Sequence, residues 1–328
     1  MQEIFGLIKE KAEKLFADGS VNRVLGWKKG ETEYDRIPSV FESAEELEEF
    51  VYDGFCAANL SKYLIRESRE DGKIAVRLKP CESSSFNQLV KEHRIKRDNI
   101  YAIGIDCDGK LDIDKIKAAG VKAIQSIEEN GSEVIVHTLY GDKKFNRQDV
   151  LLERCLCCKG KDHVAGDEFI LAQNRVDTTV KDRFEDVRKL EAMTPDERFE
   201  FWRSELSKCI RCNACRNVCP ACNCIKCVFD NEDSGVAAKA NVDTFEENMF
   251  HIIRAFHVAG RCTDCGECSR VCPQHIPLHL LNRKFIKDID ELYGEFKAGA
   301  DTETKGPLTD YRTGDAEPSL ISDRGGSN

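Results

Sequence analysis

Apolar residues recur at helical spacing at the start of the chain and form short unbroken runs further along. Three of these runs have strand character: KIAVRL (73–78), NIYAIGID (99–106) and EVIVHTLY (133–140). Polar stretches that predict helices lie between them, at 82–93 and 112–119. Strands that alternate with helices predict a parallel or mixed sheet covered by helices. At the N-terminus, the residues that share one helix face are Ile4, Phe5, Ile8, Ala12, Leu15 and Phe16.

The second half of the chain is more polar than the first, and its capping residues and amphipathic spacing predict helices. Residues 159–193 form a polar connector, and the stretch TPDERFEFWRSEL follows it from Thr194. Thr194 can cap a helix, Pro195 suits the first helical position, and Glu197 completes a capping box. A further amphipathic helix is predicted over 244–258.

Composition and charge narrow the classes of protein to which the chain can belong. Its 328 residues are enough for two domains with separate cores, and its formal charge of −10 argues against a nucleic-acid partner. No apolar run has the length needed to cross a bilayer, and the N-terminal stretch lacks the cleavage site of a signal peptide. Eleven of the 17 cysteines lie between Cys209 and Cys272, which predicts metal ligation in a reducing cytoplasm.

One cysteine motif occurs twice within this cluster. Each copy reads C-x2-C-x2-C-x3-C-P, the run that holds [4Fe-4S] clusters in bacterial-type ferredoxins. The first three cysteines of a run bind one cluster, and the fourth binds the other cluster. Zinc is the alternative, but zinc does not require three cysteines at this spacing followed by C-P. The two predicted ligand sets are Cys209, Cys212, Cys215 and Cys272 for cluster 1, and Cys262, Cys265, Cys268 and Cys219 for cluster 2.

Three more cysteines follow the first motif directly. Cys222, Cys224 and Cys227 read C-x-C-x2-C. They fit a fourth metal site, either a further cluster or zinc, with Cys56 as the candidate fourth ligand. They fit structural thiols that bind no metal equally well, and the sequence leaves both interpretations open.

Cysteines also stand at the ends of two predicted strands in the first half of the chain. Cys81 follows the first strand in LKPCE, and Cys107 ends the second in IGIDCDG. Because the ends of neighbouring strands in an α/β sheet lie close together, these cysteines are expected near one another. Cys155 and Cys158 add a C-x2-C pair further along.

Over residues 50–170 this arrangement resembles the beta subunits of deazaflavin-coenzyme-reducing hydrogenases and the related formate dehydrogenases. The similarity rests on Pro80-Cys81, on Gly104 with Cys107, and on the C-x2-C pair followed by Asp162 and Gly166-Asp167. The resemblance implies an iron–sulfur site beside a flavin. The ligands that it implies for a third [4Fe-4S] cluster are Cys81, Cys107, Cys155 and Cys158.

The predicted fold class is an α/β N-terminal domain joined to a small α+β domain of the dicluster ferredoxin type. The α/β domain is expected over residues 1–182 and the ferredoxin-like domain, with an insertion, over residues 183–296. Residues 297–328 have few large apolar side chains, which is typical of an extended or disordered arm.

Two functions fit these features. The favoured one is a non-catalytic electron-transfer subunit, because no nucleophile, acid–base pair or dinucleotide-binding glycine motif is evident and no catalytic residue is assigned. The resemblance implies an anaerobic cytoplasmic complex that contains a hydrogenase or formate dehydrogenase module and a flavoprotein such as a heterodisulfide-reductase-like subunit. The alternative is a catalytic beta subunit whose FAD exchanges hydride with a deazaflavin or nicotinamide coenzyme.

Overall fold

The computed structural model of the chain describes residues 2–172, 180–231 and 244–309. The strands in these residues are β1 (Arg23–Lys29), β2 (Arg36–Phe41), β3 (Ile74–Leu78), β4 (Ile100–Ile105), β5 (Ile124–Asn130), β6 (Glu133–Thr138), β7 (Lys143–Asn146) and β8 (Glu168–Ile170). The helices are α1 (Gln2–Ala17), α2 (Leu64–Glu67), α3 (Pro80–Lys91), α4 (Ile113–Ala118), α5 (Glu153–Leu156), α6 (Glu185–Glu191), α7 (Pro195–Leu206), α8 (Ala214–Asn217), α9 (Thr244–Val258), α10 (Glu267–Arg270) and α11 (Leu278–Tyr293). Short 3-10 helices lie at Glu45–Glu49, Leu60–Lys62, Arg97–Asn99, Arg147–Val150 and Val228–Asp230.

A five-stranded sheet forms the core of the first half, in the order β2-β1-β3-β4-β8. β1, β3, β4 and β8 run parallel, and β2 pairs with β1 in the antiparallel direction. Every residue of β3 is buried, as expected for a central parallel strand covered on both faces. The strands predicted at KIAVRL and NIYAIGID are therefore present, and both end on the side where the first-half cysteines lie.

The third predicted strand belongs to a different sheet. EVIVHTLY contributes β6, which lies between β5 and β7 in a separate antiparallel sheet of three strands. Val134 and Val136 are buried, while Glu133, Ile135 and His137, which alternate with them, are partly exposed, so this sheet packs on one face only. The two-residue loop of Gly131 and Ser132, with Gly131 at φ +61°, joins β5 to β6 in the way that antiparallel hairpins favour.

The second half of the chain is helical where the structure describes it. Residues 180–231 and 244–309 contain no strand, so the α+β character expected for this part is not seen there. The segment between the two cysteine motifs contains the 15-residue helix α9. Helix α7 begins with the expected capping box at Thr194 and Glu197, and it packs against α9.

The residues after α11 return to the first half of the molecule. Ala298 is buried, and the Lys91 side chain of α3 donates a hydrogen bond to the Thr304 carbonyl oxygen at 2.5 Å. The described part of the expected arm, 297–309, thus packs along α3, and the rest of that arm lies outside the described residues. Among the described helices, none combines the length and the apolar character that crossing a membrane requires.

Candidate iron–sulfur sites

The two cysteine motifs adopt the same loop conformation. Arg211 and Asn213 have φ angles of +53° and +61°, and the equivalent Asp264 and Gly266 have +52° and +67°. Backbone that visits the left-handed region in this way turns N–H groups inward and forms a concave surface for anionic groups, iron–sulfur clusters included. The Arg211 N–H donates to Sγ of Cys209 at 3.4 Å, which is the expected direction for such a loop.

The first site is a cavity lined by all four cysteines predicted for cluster 1. Ile276 and Leu278, each 1% exposed, help to line it and exclude water. The Nε2 atom of His251 lies 3.3 Å from Sγ of Cys209. Burial, reinforced by two nearby arginines, lowers the pKa of His251 to about 3, so the imidazole is neutral. The cysteines around this cavity are Cys209, Cys212, Cys215 and Cys272.

The second site brings Cys219 of the first motif to the cysteines of the second motif. After burial, the thiolate of Cys219 is among the largest causes that raise the pKa values of Cys262, Cys265 and Cys268. Cys219 and Cys262 also pack in one apolar cluster with Val258. The structure therefore groups the four cysteines predicted for cluster 2.

The third site is a cavity at the carboxyl ends of β3 and β4. Cys81 lies in the first turn of α3, and Cys107 follows β4. Of the C-x2-C pair, Cys155 lies in α5 and Cys158 follows that helix. The Lys110 N–H donates to Sγ of Cys155 at 3.3 Å. The cysteines of the predicted third cluster all line this cavity: Cys81, Cys107, Cys155 and Cys158.

Buried positive charge at the third site fits an anionic cluster. The Lys110 side chain is 1% exposed, donates to the Asp53 carbonyl oxygen at 2.8 Å and lies 3.9 Å from the centre of the Tyr52 ring. It has no carboxylate partner among the residues that the structure describes. A buried ammonium is costly without a counter-charge, and a cluster held by four thiolates supplies one.

Cys157 also lines this third cavity, although the sequence did not indicate it as a ligand. Its thiol is 3.9 Å from a carboxylate oxygen of Glu153 and hydrogen-bonds to Arg283. The position of Cys157 beside Cys158 is the one feature of the sequence that hinted at a second thiol here.

Arg154 connects the third site to the second. Its guanidinium donates to the Cys265 carbonyl oxygen at 2.8 Å and forms an ion pair with Glu267. Glu267 is 1% exposed, and although burial raises its pKa, Arg270 and Arg154 lower it further, to about 2. Cys265 itself lines the third cavity, so the second and third sites are neighbours.

Arg254 lies between the second site and the first. It is buried, and its Nη2 atom donates to the Cys215 carbonyl oxygen at 3.2 Å. The thiolates of Cys219, Cys268 and Cys215 outweigh burial and raise its pKa. No carboxylate pairs with Arg254 within the described part of the chain. A buried arginine thus stands between each two consecutive sites.

The cysteines proposed for a fourth metal site are only partly brought together. Cys222, Cys224 and Cys227 line a cavity of about 350 Å³, which Cys56 does not line. Cys56 is fully buried in the core of the first half, where its thiol lies 3.6 Å from the Val51 carbonyl oxygen. In the described residues, no three His, Cys, Asp or Glu side chains are arranged as ligands of a single metal ion.

Comparisons with known proteins agree with the cysteine pattern. Residues 205–276 match the family model of the 4Fe-4S dicluster domain. The F420-dependent formate dehydrogenase subunit beta of Methanocaldococcus jannaschii is 25% identical over an alignment that covers 88% of this chain and 89% of that protein. The F420-dependent formate dehydrogenase 1 subunit beta of Methanococcus maripaludis is 28% identical over an alignment that covers 92% of each protein.

Among solved structures, a chain of the F420-reducing [NiFe] hydrogenase complex from Methanosarcina barkeri matches with 14% identity and a TM-score of 0.36. The match covers 47% of this chain and 58% of that chain. The resemblance noted over residues 50–170 therefore extends, in the curated relatives, to most of the chain. Over most of its length the chain is thus similar to proteins named as beta subunits of F420-dependent formate dehydrogenases, and residues 205–276 match the 4Fe-4S dicluster domain.

Proposed function

We propose that this chain is an electron-transfer subunit that relays electrons through three [4Fe-4S] clusters in series. The observation that carries the proposal is the contiguity of three cysteine-lined sites, with Arg154 linking the third to the second and Arg254 linking the second to the first. The domain division that goes with it is an α/β domain at 1–182, a ferredoxin-like domain at 183–296 and an arm at 297–328.

The protein's own part in such a relay is to shield the clusters and to adjust their reduction potentials. When bound, the clusters supply one-electron chemistry. Ile276 and Leu278 exclude water from the first site. His251 and the backbone N–H groups of Arg211 and Lys110 lie against cysteine sulfurs, and contacts of this kind tune cluster potentials.

We place the subunit in a cytoplasmic complex of an anaerobic organism. The relatives are named as beta subunits, which supports partner subunits of the formate dehydrogenase or hydrogenase kind. A flavoprotein such as a heterodisulfide-reductase-like subunit is the proposed second partner. An acidic chain with a formal charge of −10 favours basic docking surfaces on its partners, so that raised salt would weaken the assembly.

The test is the content of iron, acid-labile sulfide and flavin in full-length protein purified without oxygen. The third cluster is tested by the double variant Cys81→Ser/Cys155→Ser, which should lose about four irons relative to the parent protein. The matched control is Cys56→Ser, whose thiol faces the protein core and should leave the iron content unchanged. Equal iron in the double variant and the parent protein would remove the third site from the relay.

A catalytic flavin-containing subunit is the second candidate, and a cavity favours it. About 240 Å³ of space lies between Cys81 of the third site and Cys262 of the second, and Lys159, Arg183 and Phe296 help to line it. A flavin ring in this cavity would adjoin both sites. Stoichiometric flavin in the purified protein, together with oxidation of a reduced deazaflavin coenzyme by the isolated chain, would establish this second function and overturn the first.

A further inference from the structure

The cavity lined by Cys222, Cys224 and Cys227 has a histidine on its opposite wall. Helix α9 presents Arg254 and His257 to this cavity. Residues three and four apart lie on one face of a helix, and Arg261, in the turn after the helix, continues the same wall. Three thiols and one imidazole therefore face a common space.

The side chains around this cavity include several cations, which favour the binding of an anionic group. Arg216 pairs with Asp230 at 2.7 Å and Arg261 pairs with Glu92 at 2.6 Å, so these two arginines already have counter-charges. Lys62 instead donates to the Cys222 carbonyl oxygen at 2.6 Å and, like Arg254, has no carboxylate partner in the described ranges.

We propose that Cys222, Cys224, Cys227 and His257 hold a fourth [4Fe-4S] cluster. His257 takes the place that the sequence had offered to Cys56, which lies elsewhere in the fold. The size of the cavity favours a cluster over a single zinc ion, because it offers about 350 Å³ where about 10–15 Å³ is enough to hold one water molecule. Deprotonated cysteines around a cluster also place negative charge beside Lys62, which has no carboxylate partner in the described ranges.

The fourth cluster adjoins the second cluster. The Cys222 N–H donates to the Cys219 carbonyl oxygen at 3.1 Å, so a ligand of the second cluster and a ligand of the fourth are joined through the backbone. Imidazole is a neutral ligand, and replacing thiolate by histidine raises the reduction potential of an iron–sulfur centre. The fourth cluster is therefore a branch of higher potential beside the middle of the relay.

Two variants test this assignment on the full-length protein. The triple variant Cys222→Ala/Cys224→Ala/Cys227→Ala should contain about four irons fewer than the parent protein. Neither the triple variant nor the parent protein should contain zinc. His257→Cys should keep the iron content of the parent protein and lower the midpoint potential of one cluster. If the one-electron equilibrium changes tenfold, the potential falls by about 59 mV. The control is His137→Ala, in the separate sheet of β6, which should change neither quantity.

Pulsed EPR of the reduced protein gives a readout that a structural role would not move. A ¹⁴N coupling from a bound imidazole is expected in the parent protein and should vanish in His257→Cys. Unchanged iron in the triple variant, loss of zinc in place of iron, or a ¹⁴N signal that persists in His257→Cys would each overturn the fourth cluster. If the triple variant does not fold, His257→Cys decides the question alone. The relay proposed above is tested separately. If that proposal is wrong, iron will be missing from the first three sites of the parent protein, which these variants do not alter.

Discussion

Left-handed backbone at equivalent positions is the residue-scale feature that makes the two cysteine loops alike. Asn213 and Gly266 occupy the same place in their motifs and both have positive φ angles. The motif spacing predicts which cysteines share a site, but it does not predict that Arg211 and Asp264 adopt the left-handed conformation. Neither residue type requires it, and the constraint comes from closing the loop around the site.

Gly266 should tolerate no side chain, because both its backbone conformation and the nearby Arg154 side chain exclude one. A Cβ would stand 2.8 Å from the Cβ of Arg154, in addition to the strain of φ +67°. We expect Gly266→Ala to displace Arg154 and to lose about four irons from the second site. Gly131→Ala is the matched control, since Gly131 has φ +61° with nothing within 4 Å of the added Cβ. Equal iron contents in the two variants would contradict the role of the Arg154 contact.

The two buried arginines should differ in their effect on reduction potentials. Arg254 has no carboxylate partner among the described residues, whereas Arg154 pairs with Glu267, a carboxylate that it shares with Arg270. Arg254→Gln should therefore lower the midpoint potentials of the first two clusters, while Arg254→Lys, which keeps the charge, should restore them. A redox titration followed by EPR measures both.

The control for this prediction is the double variant Arg154→Gln/Glu267→Gln, which removes the second arginine together with its counter-charge. It should shift the potentials less than Arg254→Gln, because no net charge is lost beside the clusters. A larger shift in the double variant would show that position, rather than net charge, decides the effect.

At the scale of elements, the sequence was most informative where one physical signal dominated. The buried runs of β3 and β4, the apolar face of α1 and the capping box of α7 all predicted their elements. β1 and β2 were missed: Gly26 interrupts one and Pro38, tolerated because β2 is an edge strand, interrupts the other. The prediction that β6 belongs to the same sheet as β3 and β4 was wrong, because the periodicity within one strand does not specify which strands pair with it.

The capping box of α7 should have a measurable effect on stability. The Thr194 hydroxyl accepts a hydrogen bond from the Glu197 N–H at 3.3 Å, and the Glu197 carboxylate accepts one from the Thr194 N–H at 2.8 Å. Thr194→Ala should lower the free energy of unfolding by about 1 kcal/mol, measured by denaturant titration without oxygen. Ser204→Ala, at an exposed position inside the same helix, should cost less, and an equal loss would remove the cap from the explanation.

At the scale of the whole molecule, the cluster sites hold the two halves together. The cysteine spacing predicted the two ligand sets of the second half, the family resemblance implied the set of the first half, and the structure brings the cysteines of each set near one another. The contacts between the halves could not be predicted in this way. Arg154, Glu267 and the segment after α11 carry no motif, and their roles arise only when distant parts of the chain meet.

Removing iron should destabilise the protein through its buried charges. Lys110 would then lack a counter-charge, and an uncompensated buried charge costs about 3–5 kcal/mol. We expect iron-free protein to unfold at clearly lower temperature than the iron-loaded form, measured by circular dichroism. In Lys110→Met the difference between the two forms should be smaller, and an undiminished difference would contradict this explanation.

The Arg154–Glu267 ion pair also sets an order of events during synthesis. The two residues are 113 positions apart, and Glu267 leaves the ribosome long after Arg154. At about 5–20 residues per second, the wait is on the order of ten seconds. During that interval the nascent first half carries an arginine without its carboxylate and a cysteine cavity without the wall that Cys265 provides. The third site therefore has its complete lining only after translation has reached the second half.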